Sequence, residues 1–376
     1  MKNSAIYIHI PFCKIKCIYC DFYSITNREN QIPLFTKLLI KEIKSYQNYR
    51  NKNWNFNTIF FGGGTPSILP SKNIEKILEA LDNTFDISSV KEITLEANPG
   101  EASLDFLKDI KKIGINRLSM GFQSFNDKLL KNLGRLHKSE DCLNTFKNAR
   151  KAGFDNINTD MIFNIPNLST NSWKKDLLKL TTFNPEHISA YSLTVEPSTQ
   201  LFNLVKNKKV IMPKEDIDIE QFLITKDILL NNNYKHYEIS NYSKHDKECK
   251  HNLNYWKLNP YLSFGPSAHS YDTKKRWWNV KSLEKYIRLL NNNKSAVEGF
   301  EILNNRDNYN EIILNGLRIA DGISLSKIKK FHKKNYANYI SEIKNKWDCI
   351  EITKESIKLK NNGMLFVDDI SSDMFI

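Results

Sequence analysis

Six short runs of β-branched and aromatic residues punctuate the first half of the chain, each followed by apolar residues at helical spacing. The runs fall at residues 6–10, 58–61, 92–96, 117–121, 158–163 and 187–193. Helical patterns occupy 32–46, 73–81 behind a capping Ser71, 104–113 and 139–152, with Gly114 and Gly153 placed as C-terminal caps. Strict strand–helix alternation predicts an α/β fold in which parallel strands carry helices on their outer face. Six such units make a partial (β/α)6 barrel related to the (β/α)8 fold, where chemistry gathers at the C-terminal ends of the strands. A helical pattern at 216–230 and an irregular, aromatic-rich stretch at 234–278 come next. From residue 305, helical patterns at 311–319 and 326–344 and a strand-like end predict a small α+β C-terminal domain. The chain therefore divides into 1–230, a connecting region 231–304, and 305–376.

No run approaches the roughly 18 apolar residues of a membrane span, which excludes an integral membrane protein. The apolar start is too short for a signal-peptide core, so a cytoplasmic chain is expected. A net charge of +13 invites nucleic acid or anionic lipid as partners, yet Lys and Asn are spread evenly and no block of five or six basic residues occurs. No nucleic-acid partner is expected; peripheral contact with a membrane stays open.

Of six cysteines, Cys13, Cys17 and Cys20 share eight positions, and Cys142, Cys249 and Cys349 are dispersed. Such clustering reads as metal binding, not as a disulfide framework. Spacing C-x3-C-x2-C lets three thiolates ligate three irons of a [4Fe–4S] cubane and leaves the fourth iron without a protein ligand. An open iron can chelate the amino and carboxylate groups of S-adenosylmethionine (SAM). The alternative, a structural zinc site, needs four closed ligands, for which His9 is the nearest candidate.

Other strand ends carry matching chemistry. Gly62, Gly63 and Gly64, followed by Thr65 and Pro66, allow a ligand to lie against bare backbone whose amides and carbonyls can pair with an amino-acid group. The Lys-Ser/Thr of a Walker A loop is missing, which disfavours a nucleoside triphosphate. Glu96, Gln123 and Asp160 sit at successive strands and Arg135 follows the next helix. Together they suit a zwitterion carrying a ribose.

These segments resemble the oxygen-independent coproporphyrinogen III oxidase-like radical SAM proteins. The resemblance rests on Tyr-Ile-His-Ile-Pro-Phe-Cys (7–13), the cysteine triad, Gly-Gly-Gly-Thr-Pro (62–66), Glu-Ala-Asn-Pro (96–99) and Ser-Met-Gly-Phe-Gln-Ser-Phe (119–125). Leu-Gly-Arg-Leu-His (133–137) and Asn-Thr-Asp-Met-Ile (158–162) extend it across most of the chain. It implies a radical SAM barrel over 1–230 and a SAM pocket lined by Tyr7, Tyr19, Gly63, Gly64, Thr65, Glu96, Gln123, Arg135 and Asp160.

Within that family the chain is similar to the haem-chaperone branch. The oxidases carry a further cysteine two positions after the triad, where this sequence has Asp21-Phe22, and an N-terminal extension, whereas the first cysteine here is residue 13. His-Asn-Leu-Asn-Tyr-Trp (251–256) matches the H-N-x-x-Y-W segment associated with haem in the chaperones. The resemblance implies haem as a third cofactor, with His251 as iron ligand and Asn252, Tyr255 and Trp256 around it. It also implies haem-acceptor apoproteins as partners, respiratory membrane enzymes among them. Read from residues alone, the segment is a capped turn whose aromatics fill the core, and Cys249 is an alternative thiolate. The rival activity is that of a coproporphyrinogen III oxidase. After the fifth strand the family's Gly-Leu-Pro-Gly-Gln-Thr-like turn is replaced by Asn164 to Thr170. Segments 237–242 and 265–270 follow the family pattern and are expected to support the pocket floor.

Overall fold

A computed structural model describes residues 2–51, 54–332 and 336–376. The expected alternation is realised as six parallel strands, β1 (Lys2–Ile10), β2 (Trp54–Gly63), β3 (Glu92–Ala97), β4 (Arg117–Gln123), β5 (Ile157–Phe163) and β6 (His187–Ser192). Between them run α1 (Ile32–Ser45), α2 (Ser71–Thr84), α3 (Leu104–Lys112), α4 (Asp127–Asn132), α5 (Ser139–Lys151) and α6 (Thr170–Phe183). Gly114 and Gly153 terminate α3 and α5 as read, each at positive φ with both bonds of a Schellman motif behind it. Ser71 is different: Pro70 holds the cap position, and the Ser71 hydroxyl donates to Asp109 instead.

Side chains alternate across the parallel strands with period two. In β4, Leu118, Met120 and Phe122 pack outward in the hydrophobic core while Arg117, Ser119, Gly121 and Gln123 line an interior cavity. In β5 and β6, Asn158, Asp160, His187, Ser189 and Tyr191 also point inward. The barrel thus has an apolar outer layer under its helices and a polar interior.

The parallel run does not close on itself. After α7 (Gln200–Lys206) and α8 (Glu215–Asn231), β7 (Lys235–Glu238) and β8 (Asn241–Ser243) add antiparallel to the edge of β6. A short helix, α9 (Lys250–Trp256), packs against β1 and β2. Then β9 (Tyr261–Phe264) pairs parallel with β1, followed outward by β10 (His269–Tyr271), β11 (Lys275–Asn279) and, after α10 (Leu283–Asn291), β12 (Val297–Ile302). The stretch expected to be irregular therefore holds five short strands and a helix. Its strands of three to five residues are too short for alternation to show.

The C-terminal residues build a second core around Tyr309, Ile313, Ile357 and Ile370 and a three-stranded antiparallel sheet. Its first helix is α11 (Asn305–Gly316). The single helix expected over 326–344 is two, α12 (Leu325–Lys329) and α13 (Tyr336–Lys346), and residues 333–335 between them lie outside the described residues. Backbone bonds from Ile239 to Arg318 and from Ala320 to Tyr237 join this unit to the larger sheet.

Candidate functional site

The cysteine loop follows β1 and is clamped by the glycine run after β2. Gly64 N–H donates to Ile10 O at 2.7 Å and Thr65 N–H to Phe12 O at 2.8 Å. A Cβ on Gly64 would stand 2.7 Å from Phe12 O, 2.9 Å from Ile10 O and 3.0 Å from Cys13 Sγ, so only glycine allows this approach. Gly63 N–H bonds the Glu96 carboxylate at 3.2 Å. The amides expected to meet a ligand are thus already used; the glycines serve to press two loops together.

Cys13, Cys17 and Cys20, all half-buried, line a cavity of about 70 Å³ together with Tyr19, Gly64, Thr65 and Arg135. The Thr65 hydroxyl lies 3.4 Å from Cys13 Sγ, and Arg135 Nη1 donates to Cys17 Sγ at 3.5 Å. Burial pushes the Cys13 thiol up and the Cys20 thiol to about 11, and the neighbouring sulfurs add to both. The guanidinium of Arg135 is also held by Asn98 Oδ1 at 2.6 Å and Gly121 O at 2.9 Å, which aims it at the sulfurs. Gln123 ends β4 at φ 66°, a left-handed conformation that turns the chain toward this mouth.

A larger cavity, about 680 Å³, runs from Tyr19, Cys20 and Phe22 past Tyr7, Gly63, Glu96, Gln123 and Asp160 to His251, Asn252 and Tyr255. Burial raises Glu96 to about 8, with the Asp160 charge adding to it. Asp160, also raised by burial, accepts from Ser119 Oγ at 3.2 Å and Asn158 Nδ2 at 2.7 Å. At the floor, Glu92 from the start of β3 accepts from the backbone of Lys250 at 3.1 Å and His251 at 3.0 Å, capping α9. His251 is 1% exposed, with Nδ1 2.9 Å from Thr58 Oγ1 and Nε2 3.0 Å from the Tyr255 hydroxyl. Burial lowers it to about 3, so the ring is neutral. Trp256 does not line the cavity. One step along a helix rotates a side chain by about 100°, which carries it off the face shared by His251 and Tyr255.

Comparison with known proteins agrees with this arrangement. The Radical SAM superfamily profile matches residues 7–180. Over 98% of its length the chain is 32% identical to the protein named heme chaperone HemW of Lactococcus lactis, covering 99% of that protein. The protein of the same name from Bacillus subtilis is 30% identical, with 98% of each chain covered. The chain belongs to the HemW family of radical SAM proteins. Its superfamily implies SAM and a [4Fe–4S] cluster as cofactors. Among solved structures, coproporphyrinogen III oxidase (HemN) from Escherichia coli superposes with a TM-score of 0.85 over 100% of this chain and 90% of that one. At 22% identity this likeness carries the HemW-family fold and nothing further.

The donor set fits the HemW-family cofactors better than a zinc ion. Among the described residues no three His, Cys, Asp or Glu side chains gather closely enough for a single ion. His9, the nearest candidate for a fourth zinc ligand, has Nε2 2.8 Å from Tyr23 O and Nδ1 3.2 Å from Tyr7 Oη. The altered turn after β5 keeps a defined shape: Asn164 and Asn167 adopt positive φ, and Gln221 of α8 bonds Asn164 N–H and Leu168 O. Of the two expected supports, 237–242 reaches the floor region, while 265–270 packs beside His9 at the C-terminal end of β1, on the mouth side. Tyr237 Oη joins His187 Nε2 at 2.8 Å to Cys249 N–H at 3.2 Å, and Gly265 packs 2.5 Å, at a would-be Cβ, from His9 O. Cys249 itself is buried against Glu92 and is not among the cavity residues. Sequence reasoning missed Arg117, Ser119, Asn158, His187 and Ser189. Their signal was polar residues at every second position of strands otherwise apolar.

Proposed function

We propose that this chain is a haem chaperone: it binds haem in the large cavity, carries a [4Fe–4S] cluster with SAM at the cavity mouth, and passes haem to an acceptor apoprotein. The observation that carries this reading is one continuous cavity, about 680 Å³, that joins the cysteine loop to His251. That volume is in the range of cofactor pockets. Nearly full-length similarity to two proteins named heme chaperone supports it.

In this reading Cys13, Cys17 and Cys20 hold three irons, and Thr65 and Arg135 donate to the sulfurs. Such donors stabilise an anionic cluster. Tyr7, Tyr19, Gly63, Gly64, Thr65, Glu96, Gln123, Arg135 and Asp160 border the SAM site. When bound, SAM on an open iron supplies a source of a carbon-centred radical. Glu96, held neutral by burial, acts as a donor toward ribose or carboxylate groups. His251 serves as the iron ligand from the floor. Its ring is unprotonated, as coordination requires, and the Nδ1 contact to Thr58 orients it. Nε2, which meets the Tyr255 hydroxyl, would be the atom available to iron. The acceptor docks at the mouth, where Phe22 is 68% and Leu136 60% exposed. No helix among the described residues is long and apolar enough to cross a membrane, so contact with membrane-bound acceptors is peripheral in this reading.

Haem titration of wild type against His251→Ala, followed by absorbance, tests the assignment. Coproporphyrinogen turnover is assayed in parallel. Saturable 1:1 binding weakened by the substitution, without turnover, is the expected result. Turnover, or binding indifferent to His251, would return the chain to the oxidase reading.

A further inference from the structure

Arg117 opens β4 at 2% exposure and lines the deep part of the large cavity. Its side chain makes no hydrogen bond or ion pair with any described residue, and Nε is both buried and unpartnered. A buried guanidinium left so is costly, because nothing replaces the water it gave up. The acids nearest in effect are spent elsewhere. Glu92 gives its oxygens to the backbone of Lys250 and His251, and Asp160 gives its oxygens to Ser119 and Asn158. The histidines that feel its charge, His187 and His251, are neutral and provide no counter-charge. The cavity lining therefore includes a planar, five-donor cation that no described residue pairs with.

We infer that Arg117 anchors a carboxylate of the bound ligand, receiving a propionate-type side chain of a tetrapyrrole at the base of the barrel. The inference rests on the haem reading above and adds the group by which the ligand is held and oriented. A guanidinium fork matches a carboxylate in two parallel hydrogen bonds, which fixes ring orientation as well as charge. Arg117 and His251 line the same cavity, and the charge of Arg117 is felt at the His251 ring, so one ligand can meet both. An apolar or esterified ligand would forgo one of them.

The test compares haem with its dimethyl ester on anaerobically reconstituted protein at saturating SAM, in wild type, Arg117→Gln and Arg117→Lys. Wild type should bind haem roughly ten- to a hundredfold more tightly than the diester, the range of charge-assisted hydrogen bonds to a carboxylate. Arg117→Gln should bind both equally, at the diester's affinity, and Arg117→Lys should recover part of the preference. SAM affinity should stay unchanged throughout. A preference that survives Arg117→Gln, one that is missing in wild type, or a fall in SAM affinity that tracks the substitution overturns the proposal; the last would assign the carboxylate to SAM. Thermal unfolding checks that each variant is folded. If wild type binds neither compound, the haem reading fails, and sodium propionate against chloride at matched ionic strength decides the anchor. Stabilisation of wild type but not Arg117→Gln by propionate upholds it, and equal responses reject it.

Discussion

The mouth and the floor of the large cavity are built in opposite ways. At the mouth, backbone meets backbone: the cysteine loop and the glycine run are stitched by the Gly64 and Thr65 amides, and side chains add donors to sulfur. At the floor, buried charges do the joining, with Glu92 capping α9 and Arg117 lacking a protein partner. The mouth is therefore sensitive to added volume, since close-packed backbone has no room to yield. The floor is sensitive to lost charge, since removing a buried charged group there leaves its hydrogen-bonded neighbours unsatisfied.

Substitutions can separate the two. Gly64→Ala should have the largest effect, because its methyl group meets two carbonyl oxygens and Cys13 Sγ at 3.0 Å or less. We expect loss of the cluster's broad visible absorption on reconstitution, as for Cys17→Ala, with haem-independent folding of the floor retained by circular dichroism. A normal cluster in either variant would mean that the mouth is not the cluster site.

Glu92→Ala strikes the floor. It strips the carboxylate from the Lys250 and His251 N–H groups, the second of them buried, and should cost about 1–3 kcal/mol in denaturant unfolding. Cluster absorption should be unchanged, which is the contrast that matters.

Acid and alkali should also distinguish the regions. His187 is lowered well below its ordinary value by burial, with the charge of Arg117 adding to this. A base depressed in the fold contributes stability that is present above about pH 6.5 and is lost as pH falls, about 1.4 kcal/mol per unit while the folded ring stays neutral. Glu96 at the mouth has the opposite sign: raised to about 8, it loses stability as pH climbs from about 4.5 to about 8. Chemical unfolding across this range should show His187→Gln flattening the acid limb and Glu96→Gln the alkaline limb. If both variants change the same limb, the two regions do not titrate independently.

The smallest effect is expected from Thr65→Val, which removes one hydroxyl contact to Cys13 and keeps the shape. Apo stability should drop by about 1 kcal/mol or less. A larger change would show that the hydroxyl also braces Asn98, whose Nδ2 lies 3.1 Å from it.

Legibility in the sequence followed the range of the interactions. The strands of the parallel run were readable because their apolar runs have four or more residues, and α3 and α5 between them end on the stop signals Gly114 and Gly153. The flanking strands β7 to β11 escaped notice because three to five residues hold too little periodic information. Ser71 was misread as a cap because its neighbour Pro70 takes that position.

By itself the sequence determined the strand–helix alternation and the three-thiolate spacing, since both are encoded within a few residues of covalent chain and need no distant partner. It also placed Glu96 and Gln123 at strand ends and Asp160 within the fifth strand, where strand direction and alternation bring them to one cavity. Only the tertiary structure decided the floor. Glu92 and Arg117 open β3 and β4, Thr58 lies inside β2, and α9 comes more than a hundred residues later in the chain. Whether their charges pair depends on Å-scale distances that no local pattern records. That is why Arg117, an ordinary residue in the sequence, emerges as a cation in the cavity lining with its Nε unpartnered.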